Sequence, residues 1–445
     1  MIYKNFKEII EGGKNAFGDH PALSIIDSSG HMKTFSYAEF CDRVSVRSEE
    51  LKQENCSCVG MYGSASVEWI TDFFAAAIAD KRTVLLDPTL PRDKTQELIT
   101  SFGIEKVLPS AAGFVTVAPG TQEPEYPGCI VIFSSGTTSA NKAIVLSQKA
   151  LARSAWNGQQ MLACGEKDVV TAMLPLNHVF GLVCTLLWPL SYGACVGIGR
   201  GMRFYTEDPA AYKTTILVMV PTLLNYLFAT ESINRECHTI LLGAAPCSER
   251  VFNAIKQMGI RLSYGYGLSE TASGLAISVD ADDPSALDLC PDTKITIAED
   301  GEVLVETECM MEGYWHMPEE TAKVLRDGVL QTGDLGRLDE QGRLHLLGRK
   351  NDVLVLSNGE KLYLPEAEAI LSESLGDEIA LVIMYDTLTL VAGKDRPESE
   401  VKKAVDAFNE KQPIGKRIMN IRVIPGALPR TATGKLKRWK VEECL

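Results

Sequence analysis

The sequence predicts an α/β protein: doubly wound sheets in a large N-terminal domain with a small β-rich subdomain, and a small α+β unit at the C-terminal end. Three observations predict it. Short apolar runs alternate with helical patterns between residues 35 and 242. From residue 292 the apolar runs become short and alternating, separated by Asp-Gly or Gln-Gly turns, as in small antiparallel sheets. Residues 349–445, 97 in all, then close the chain as a compact unit with helical patterns over 365–375 and 399–410 and strand patterns over 379–385 and 388–392.

The elements follow in order. Phe35-Ser36-Tyr37-Ala38-Glu39-Phe40 opens a helix that runs to about residue 53, with apolar positions at helical spacing. Residues 58–63 read as a strand, 67–79 as an apolar helix, and 83–86 as a strand ending at Asp87-Pro88. A helix over 94–102 and strands over 106–108 and 130–133 come next. The pattern resumes over 149–164, 169–174, 182–190, 194–198, 216–219, 222–229 and 239–242. Strands alternating with helices imply parallel sheets covered on both faces. The β-rich strands are expected at 295–298, 302–306 and 343–347. The domain boundary is expected between 348 and 349.

Composition narrows the class. At 445 residues the chain exceeds one ordinary core, so two or three subdomains are expected. With 45% hydrophobic and 23% charged residues it reads as globular and soluble. A net charge of −14 argues against a nucleic-acid partner and suits a cytoplasmic protein. The start Met-Ile-Tyr-Lys-Asn-Phe-Lys-Glu lacks the apolar run of a signal peptide. Residues 179–199 carry no charge for 21 positions, long enough to cross a bilayer. Pro189, Ser191, Tyr192 and several glycines interrupt them, so a buried helix, a turn at 191–193 and a buried strand are expected, with no membrane span. Twelve scattered cysteines without a C-x-x-C, and six unclustered histidines, point to reduced thiols in a cytosol rather than zinc or disulfides.

The most informative run is Ser134-Ser135-Gly136-Thr137-Thr138, followed by Lys142, at the end of the apolar strand 130–133. Backbone N–H groups in such a loop form an anion nest, hydroxyls add donors, and lysine adds charge, which suits a polyphosphate. It is not the common P-loop, because G-x-x-x-x-G-K-[ST] is absent. Three further segments stand in order behind it: Tyr264-Gly265-Tyr266-Gly267-Leu268-Ser269-Glu270-Thr271; Thr332-Gly333-Asp334-Leu335-Gly336 with Gly348-Arg349-Lys350-Asn351-Asp352; and Pro429-Arg430-Thr431-Ala432-Thr433-Gly434-Lys435. Together the four resemble the core motifs of the adenylate-forming (AMP-binding) superfamily, in look nearest to acyl- and aryl-CoA synthetases. The resemblance spans about residues 35–438.

The resemblance implies a chemistry. The family joins a carboxylate to AMP from ATP, releases pyrophosphate, and in most members passes the acyl group to a thiol. Two anions must meet, so cations and aimed donors are needed where charge develops. By resemblance, the loop 134–142 holds the β- and γ-phosphates, with departures at Ser139, Asn141 and Ala143 from the usual Gly, Pro and Gly. Tyr266 stacks on adenine, beside Gly267; Ser269 meets the α-phosphate; and Glu270 is the Mg²⁺ ligand, a hard oxygen donor. Gly243-Ala244-Ala245-Pro246 faces adenine and the acyl pocket. Asp334 takes the ribose hydroxyls, Arg349 contacts ribose and phosphate, and Asn351 stands at the hinge of a mobile C-terminal lid, where Asp, Lys or Ser is usual. Lys435 is the catalytic lysine, bridging carboxylate and α-phosphate. The turn 358–361 resembles the one that lines the thiol tunnel. Lys416, Arg417, Arg422, Arg430, Lys435, Lys437, Arg438 and Lys440 crowd the tail of an acidic chain, either as a solvated basic face or as an attractor for ATP and CoA phosphates.

The best substrate clue is Leu176-Asn177-His178-Val179-Phe180-Gly181-Leu182. Amino-acid-activating relatives carry an Asp near this position to pair with the substrate ammonium; here His178 stands there. A desolvated ammonium without a carboxylate binds poorly, so a hydrophobic fatty or aryl acid is expected. His178 would border its carboxylate, with Val179, Phe180, Met219, Val220, Ser273 and Gly274 lining an acyl pocket. ATP, Mg²⁺ and CoA are the expected cofactors, and the partners are a small carboxylic acid and CoA. The alternatives are loading of a carrier-protein phosphopantetheine and a non-catalytic nucleotide or acyl binder. The latter sits poorly with Lys435, Glu270 and Asp334 all being present.

Overall fold

The structure is a computed structural model. It describes residues 1–109, 113–119, 125–133, 142–243, 249–279, 283, 285–350, 353–355, 361–384, 387–394, 396–413, 416–430 and 436–443. Two compact units emerge. The described residues of Met1–Ser134, Lys142–Lys294 and Glu306–Gly328 form the first, and those of Ile295–Val305 and Val329–Leu445 the second. The position 348/349 falls inside the second, just past the strand Leu344–Arg349.

The first unit has two sheets. Nine strands form one, and its centre is Arg261–Leu268, Thr239–Leu242, Ile216–Met219 and Val169–Ala172, side by side and parallel. Its ends are antiparallel: Met32–Ser36 pairs with Pro21–Ile26, and Ser273–Ile277 folds back on Arg261–Leu268. The second sheet runs Gly313–Tyr314, Ala143–Leu146, Ile130–Phe133, Arg82–Leu85, Cys58–Met61 and Lys106–Leu108. Its last four strands are parallel, and Ala143–Leu146 returns antiparallel beside Ile130–Phe133. The central strands are short, apolar and buried on both faces, as parallel sheets require.

Helices fill the space between the sheets. Tyr37–Gln53 lies on Pro21–Ile26, Val67–Ile78 lies on Cys58–Met61 and Arg82–Leu85, and the two helices pack on each other. Ser36 starts the first of them with a capping box: its hydroxyl accepts from Glu39 N at 3.2 Å, and Glu39 accepts from Ser36 N at 2.8 Å. Ser66 caps the second by accepting from Trp69 N at 3.0 Å. Phe6, Phe40, Phe73 and Phe74 meet here, with ring centroids 5.3–5.9 Å apart, and form the aromatic core.

Sequence patterning does not find the helix Phe6–Phe17, which Asn5 caps by accepting from Glu8 N. Gly12 and Gly13 hide it, because glycine weakens any helix pattern. Their absent side chains are what lets the helix pack. A Cβ on Gly12 would lie 2.6 Å from the Tyr3 ring, and one on Gly13 would lie 3.0 Å from the Tyr37 ring. The uncharged stretch 179–199 forms Val179–Leu182, a π-helical turn Val183–Leu187, Trp188–Ser191 and then the buried strand Cys195–Ile198. Among the described residues no helix is long and apolar enough to cross a membrane.

In the second unit, strand residues 302–305 and Leu344–Arg349 flank Val329–Leu338, and strand residues 295–297 lie beyond 302–305. Its C-terminal portion has a sheet of Ile379–Met384, Thr387–Ala392 and Asn420–Val423 against the helices Leu364–Leu375 and Glu398–Glu410. Leu371, Leu375, Leu381, Leu390, Val401 and Phe408 close that core. The alternation of these helices and strands matches the α+β pattern of the sequence.

Candidate active site

Four neighbouring parallel strands of the first unit end on the same side. His178 follows Val169–Ala172, Val220 follows Ile216–Met219, Gly243 follows Thr239–Leu242, and Ser269 follows Arg261–Leu268. Ligands of open α/β sheets bind outside the carboxyl ends of their strands, so the fold alone brings these motif residues to one edge. Ser134, Ser135, Gly136, Thr137, Thr138, Ala244, Ala245, Pro246, Asn351 and Lys435 lie outside the described residues.

The Tyr266–Glu270 segment is shaped by its glycine. A Cβ on Gly267 would fall 1.3 Å from the Ser273 carbonyl oxygen, so only glycine admits the bulge between Tyr266 and Gly267. Ser269–Thr271 is a single 3₁₀ turn, held where Leu268 N donates to Thr271 Oγ1 at 3.2 Å. Ala272 and Ser273 follow with φ of 48° and 100°, a left-handed pair without glycine. Glu270 is anchored twice: its carbonyl accepts from Met311 N at 2.8 Å, and its Oε1 accepts from the Tyr314 hydroxyl at 2.8 Å. Lys142 Nζ sits 4.4 Å from the Tyr314 ring centroid and 3.3 Å from Glu320 Oε2. Lys142, Tyr314 and Glu270 therefore form one connected cluster. Tyr314 joins this candidate site without being singled out by local sequence patterning, because a Gly-Tyr pair carries no periodic signal.

His178 precedes the helix Val179–Leu182, and its carbonyl accepts from Leu182 N at 2.9 Å. Burial lowers its imidazole pKa from the ordinary 6.5, with Asp87 pulling weakly the other way. The ring is therefore neutral at neutral pH and offers one N–H donor and one acceptor. Because the folded state binds this proton less readily than the unfolded state, the stability it contributes is intact above 6.5 and is lost as pH falls below that value. In His178→Gln the fall of melting temperature between roughly pH 7 and pH 5 is expected to be shallower than in the wild type. An unchanged slope would contradict the depressed pKa.

Phe180 packs on Gly243, where a Cβ would stand 2.6 Å from its ring, so glycine is required at this strand end. Met219, Val220, Val179 and Ser273 are buried. Gly274 borders a narrow cavity of about 20 Å³, with Ser154, Gly158, Val183, Cys184, Trp188 and Leu241 on its walls. That is room for about one water molecule. Cys184 Sγ lies 3.7 Å from Ser273 Oγ, and burial pushes its thiol pKa up to about 12, so it stays protonated. Cys184 and Trp188 stand one helical turn apart, a spacing that could have flagged them beside the 179–182 motif. Met219 and Val220 are not among the walls of this cavity.

In the second unit Asp334 and Arg349 are register partners across a hairpin. Arg349 Nε is 2.8 Å from Asp334 Oδ1, and Arg349 Nη1 donates to the Thr332 carbonyl at 3.2 Å. Asp334 N donates to Thr332 Oγ1 at 3.0 Å, and Gly333, with φ 69°, donates to Glu302 Oε1 at 2.9 Å. Lys350 reaches Asp300 at 2.6 Å and Glu302 at 2.8 Å, and these carboxylates raise its ammonium pKa. The two expected ribose residues are thus one preset ion pair, the carboxylate buried and the guanidinium 43% exposed.

The magnesium ligand that the resemblance implies is Glu270. Among the described residues no group of three or more His, Cys, Asp or Glu could hold a metal ion. Magnesium bound with a nucleotide keeps several waters and takes one or two carboxylates plus phosphate oxygens, so a single Glu fits.

The chain resembles known proteins in sequence and in fold. Residues 115–315 match the AMP-binding enzyme family. A 2-succinylbenzoate–CoA ligase of Listeria monocytogenes serotype 4b (strain F2365) is 30% identical over 330 residues, covering 70% of this chain and 69% of that protein. An indoleacetate–CoA ligase of Aromatoleum aromaticum is 28% identical over 411 residues, covering 85% of this chain and 78% of that one. The solved structure of an anthranilate CoA ligase in complex with anthranoyl-AMP superposes with a TM-score of 0.84 at 20% identity, covering 100% of this chain and 98% of the other; at that identity it shows the fold. The chain belongs to the AMP-binding enzyme family and is an acid–thiol ligase of the AMP-forming acyl-CoA synthetase type.

Proposed function

We propose that the enzyme activates a hydrophobic carboxylic acid, aryl or fatty, with ATP and passes it to CoA. The observation that carries this reading is His178, kept neutral by burial at the strand end where, by resemblance, amino-acid-activating relatives carry an aspartate.

In this reading a carboxylate oxygen attacks the α-phosphorus of ATP, a P–O bond forms, and the bond to pyrophosphate breaks. Lys142 and the loop 134–138 hold the outer phosphates, Ser269 donates near the α-phosphate, and Lys435 places an ammonium between the two anions. Tyr266 and Gly243–Pro246 take the adenine. Asp334 accepts from the ribose hydroxyls while Arg349 orients it. Glu270 holds Mg²⁺, which when bound neutralises charge on the phosphates. His178 gives a hydrogen bond to the substrate carboxylate, and afterwards to the acyl carbonyl. The thiolate sulfur of CoA then attacks that carbonyl carbon, AMP leaves, and the thioester forms. A hinge at Asn351, with 1–348 as the adenylation domain and 349–445 as a lid, belongs to the same proposal, as does a cytoplasmic location.

The test is ATP-dependent pyrophosphate release over fatty, aryl, dicarboxylic and amino acids, with and without CoA. Release is expected with one apolar class, faster with CoA, and with the thioester seen by mass. Turnover of an α-amino acid would overturn the substrate reading. Release indifferent to CoA would move the acceptor to a carrier-protein phosphopantetheine.

A further inference from the structure

One aromatic side chain touches both residues that the proposed function assigns to the polyphosphate and its metal. Tyr314 belongs to the two-residue strand Gly313–Tyr314, which pairs with Ala143–Leu146 so that Tyr314 stands opposite Ile144. Its own N–H donates to Thr321 Oγ1 at 2.9 Å, and its side chain is 7% exposed, so the ring is fixed. The hydroxyl donates to Glu270 Oε1 at 2.8 Å. The ring face receives the Lys142 ammonium at 4.4 Å.

We propose that Tyr314 is a positioning residue that sets the spacing between the carboxylate Glu270 and the ammonium Lys142; this rests on reading Glu270 as the magnesium ligand and Lys142 as a phosphate contact. A carboxylate carries two oxygens and about four lone-pair sites, so one donor from Tyr314 fixes its rotation and leaves oxygen for a cation. The ring quadrupole attracts the ammonium without neutralising it. Glu320 holds the same ammonium from its other side at 3.3 Å, in a pair whose side chains are 26% and 38% exposed. An exposed pair of this kind contributes little, so a polyphosphate replaces Glu320 readily while the ring contact persists. The two functions of Tyr314 are separable by substitution: the hydroxyl serves the metal side, and the ring serves the phosphate side.

The test uses the full chain and calorimetric binding of ATP, with and without Mg²⁺, to wild type, Tyr314→Phe, Tyr314→Leu and Glu270→Gln, with a melting curve for each. Tyr314→Phe is expected to weaken binding of the magnesium complex about tenfold, the effect of losing one hydrogen bond to a charged group. Metal-free ATP is expected to bind it within about twofold of wild type, since the ring still holds Lys142. Tyr314→Leu is expected to weaken both forms. A Tyr314→Phe protein that weakens both forms equally, or neither, overturns the hydroxyl's role. A Tyr314→Leu protein that binds metal-free ATP like wild type overturns the ring's role. Glu270→Gln separates the two levels: if it keeps the full magnesium enhancement, the metal reading of Glu270 falls and this inference falls with it. If it loses that enhancement while Tyr314→Phe keeps it, only the role of Tyr314 falls.

Discussion

Lys435→Ala is expected to reduce acid-dependent pyrophosphate release about a thousandfold or more, the cost of removing a donor aimed at charge developing in a transition state. A carboxylate approaching a triphosphate meets repulsion that one ammonium between them relieves, and alanine offers no replacement. The second half-reaction places no such demand: a thiol attacks an acyl-AMP whose charge lies on the departing phosphate. Thioester formation from supplied acyl-AMP and CoA is therefore expected to stay within about tenfold of wild type. Both rates are measurable on one preparation, by pyrophosphate release and by mass of the thioester. Equal loss in the two assays would remove Lys435 from the adenylation step and make it a general structural element of the tail.

The second large effect is expected at Asp334. Its carboxylate is buried and already oriented by Arg349 and Thr332, so little ordering remains to be done when ribose hydroxyls arrive. Losing two hydrogen bonds to a charged acceptor is expected to raise the ATP dissociation constant of Asp334→Ala about a hundredfold. The cost to folding is expected to be small, because the Arg349 guanidinium left behind is 43% exposed and water can solvate it. Calorimetry of ATP binding and a melting curve check both halves. A dissociation constant equal to wild type would leave Asp334 as an ion-pair partner and no more.

Much of the fold is legible in the sequence because parallel sheets buried on both faces leave continuous apolar runs. Ile216–Met219 and Thr239–Leu242 read as strands for that reason, and Val67–Ile78 as a helix because its apolar positions run on beyond strand length. Local pattern fails where glycine does the packing. Gly12 and Gly13 conceal Phe6–Phe17, and Tyr264-Gly265-Tyr266-Gly267 reads as a motif rather than as the interior of the strand Arg261–Leu268. The helix start at Ser36 was legible because a capping box is written in four consecutive residues. The site is legible only where chemistry is carried by motif residues. The motifs name Asp334 and Arg349, yet nothing within either one says that hairpin register places them opposite each other. Tyr314 meets Glu270 across 44 positions, and Lys142 across 172, so those contacts are properties of the sheet and not of any local spacing.

The placement of His178, Val220, Gly243 and Ser269 at the ends of four adjacent strands has a consequence for how such an enzyme diversifies. His178, Val220 and Ser269 stand where their strands have ended, so exchanging them leaves the ladder of backbone hydrogen bonds untouched, whereas Gly243, packed under Phe180 and donating to the Met219 carbonyl at 3.0 Å, does not share that freedom. Under the proposed function, substrate preference and sheet integrity are thereby inherited as separate traits. A lineage can explore new acids by altering a handful of loop positions while the scaffold underneath keeps its stability, and drift in the scaffold need not retune what the enzyme accepts.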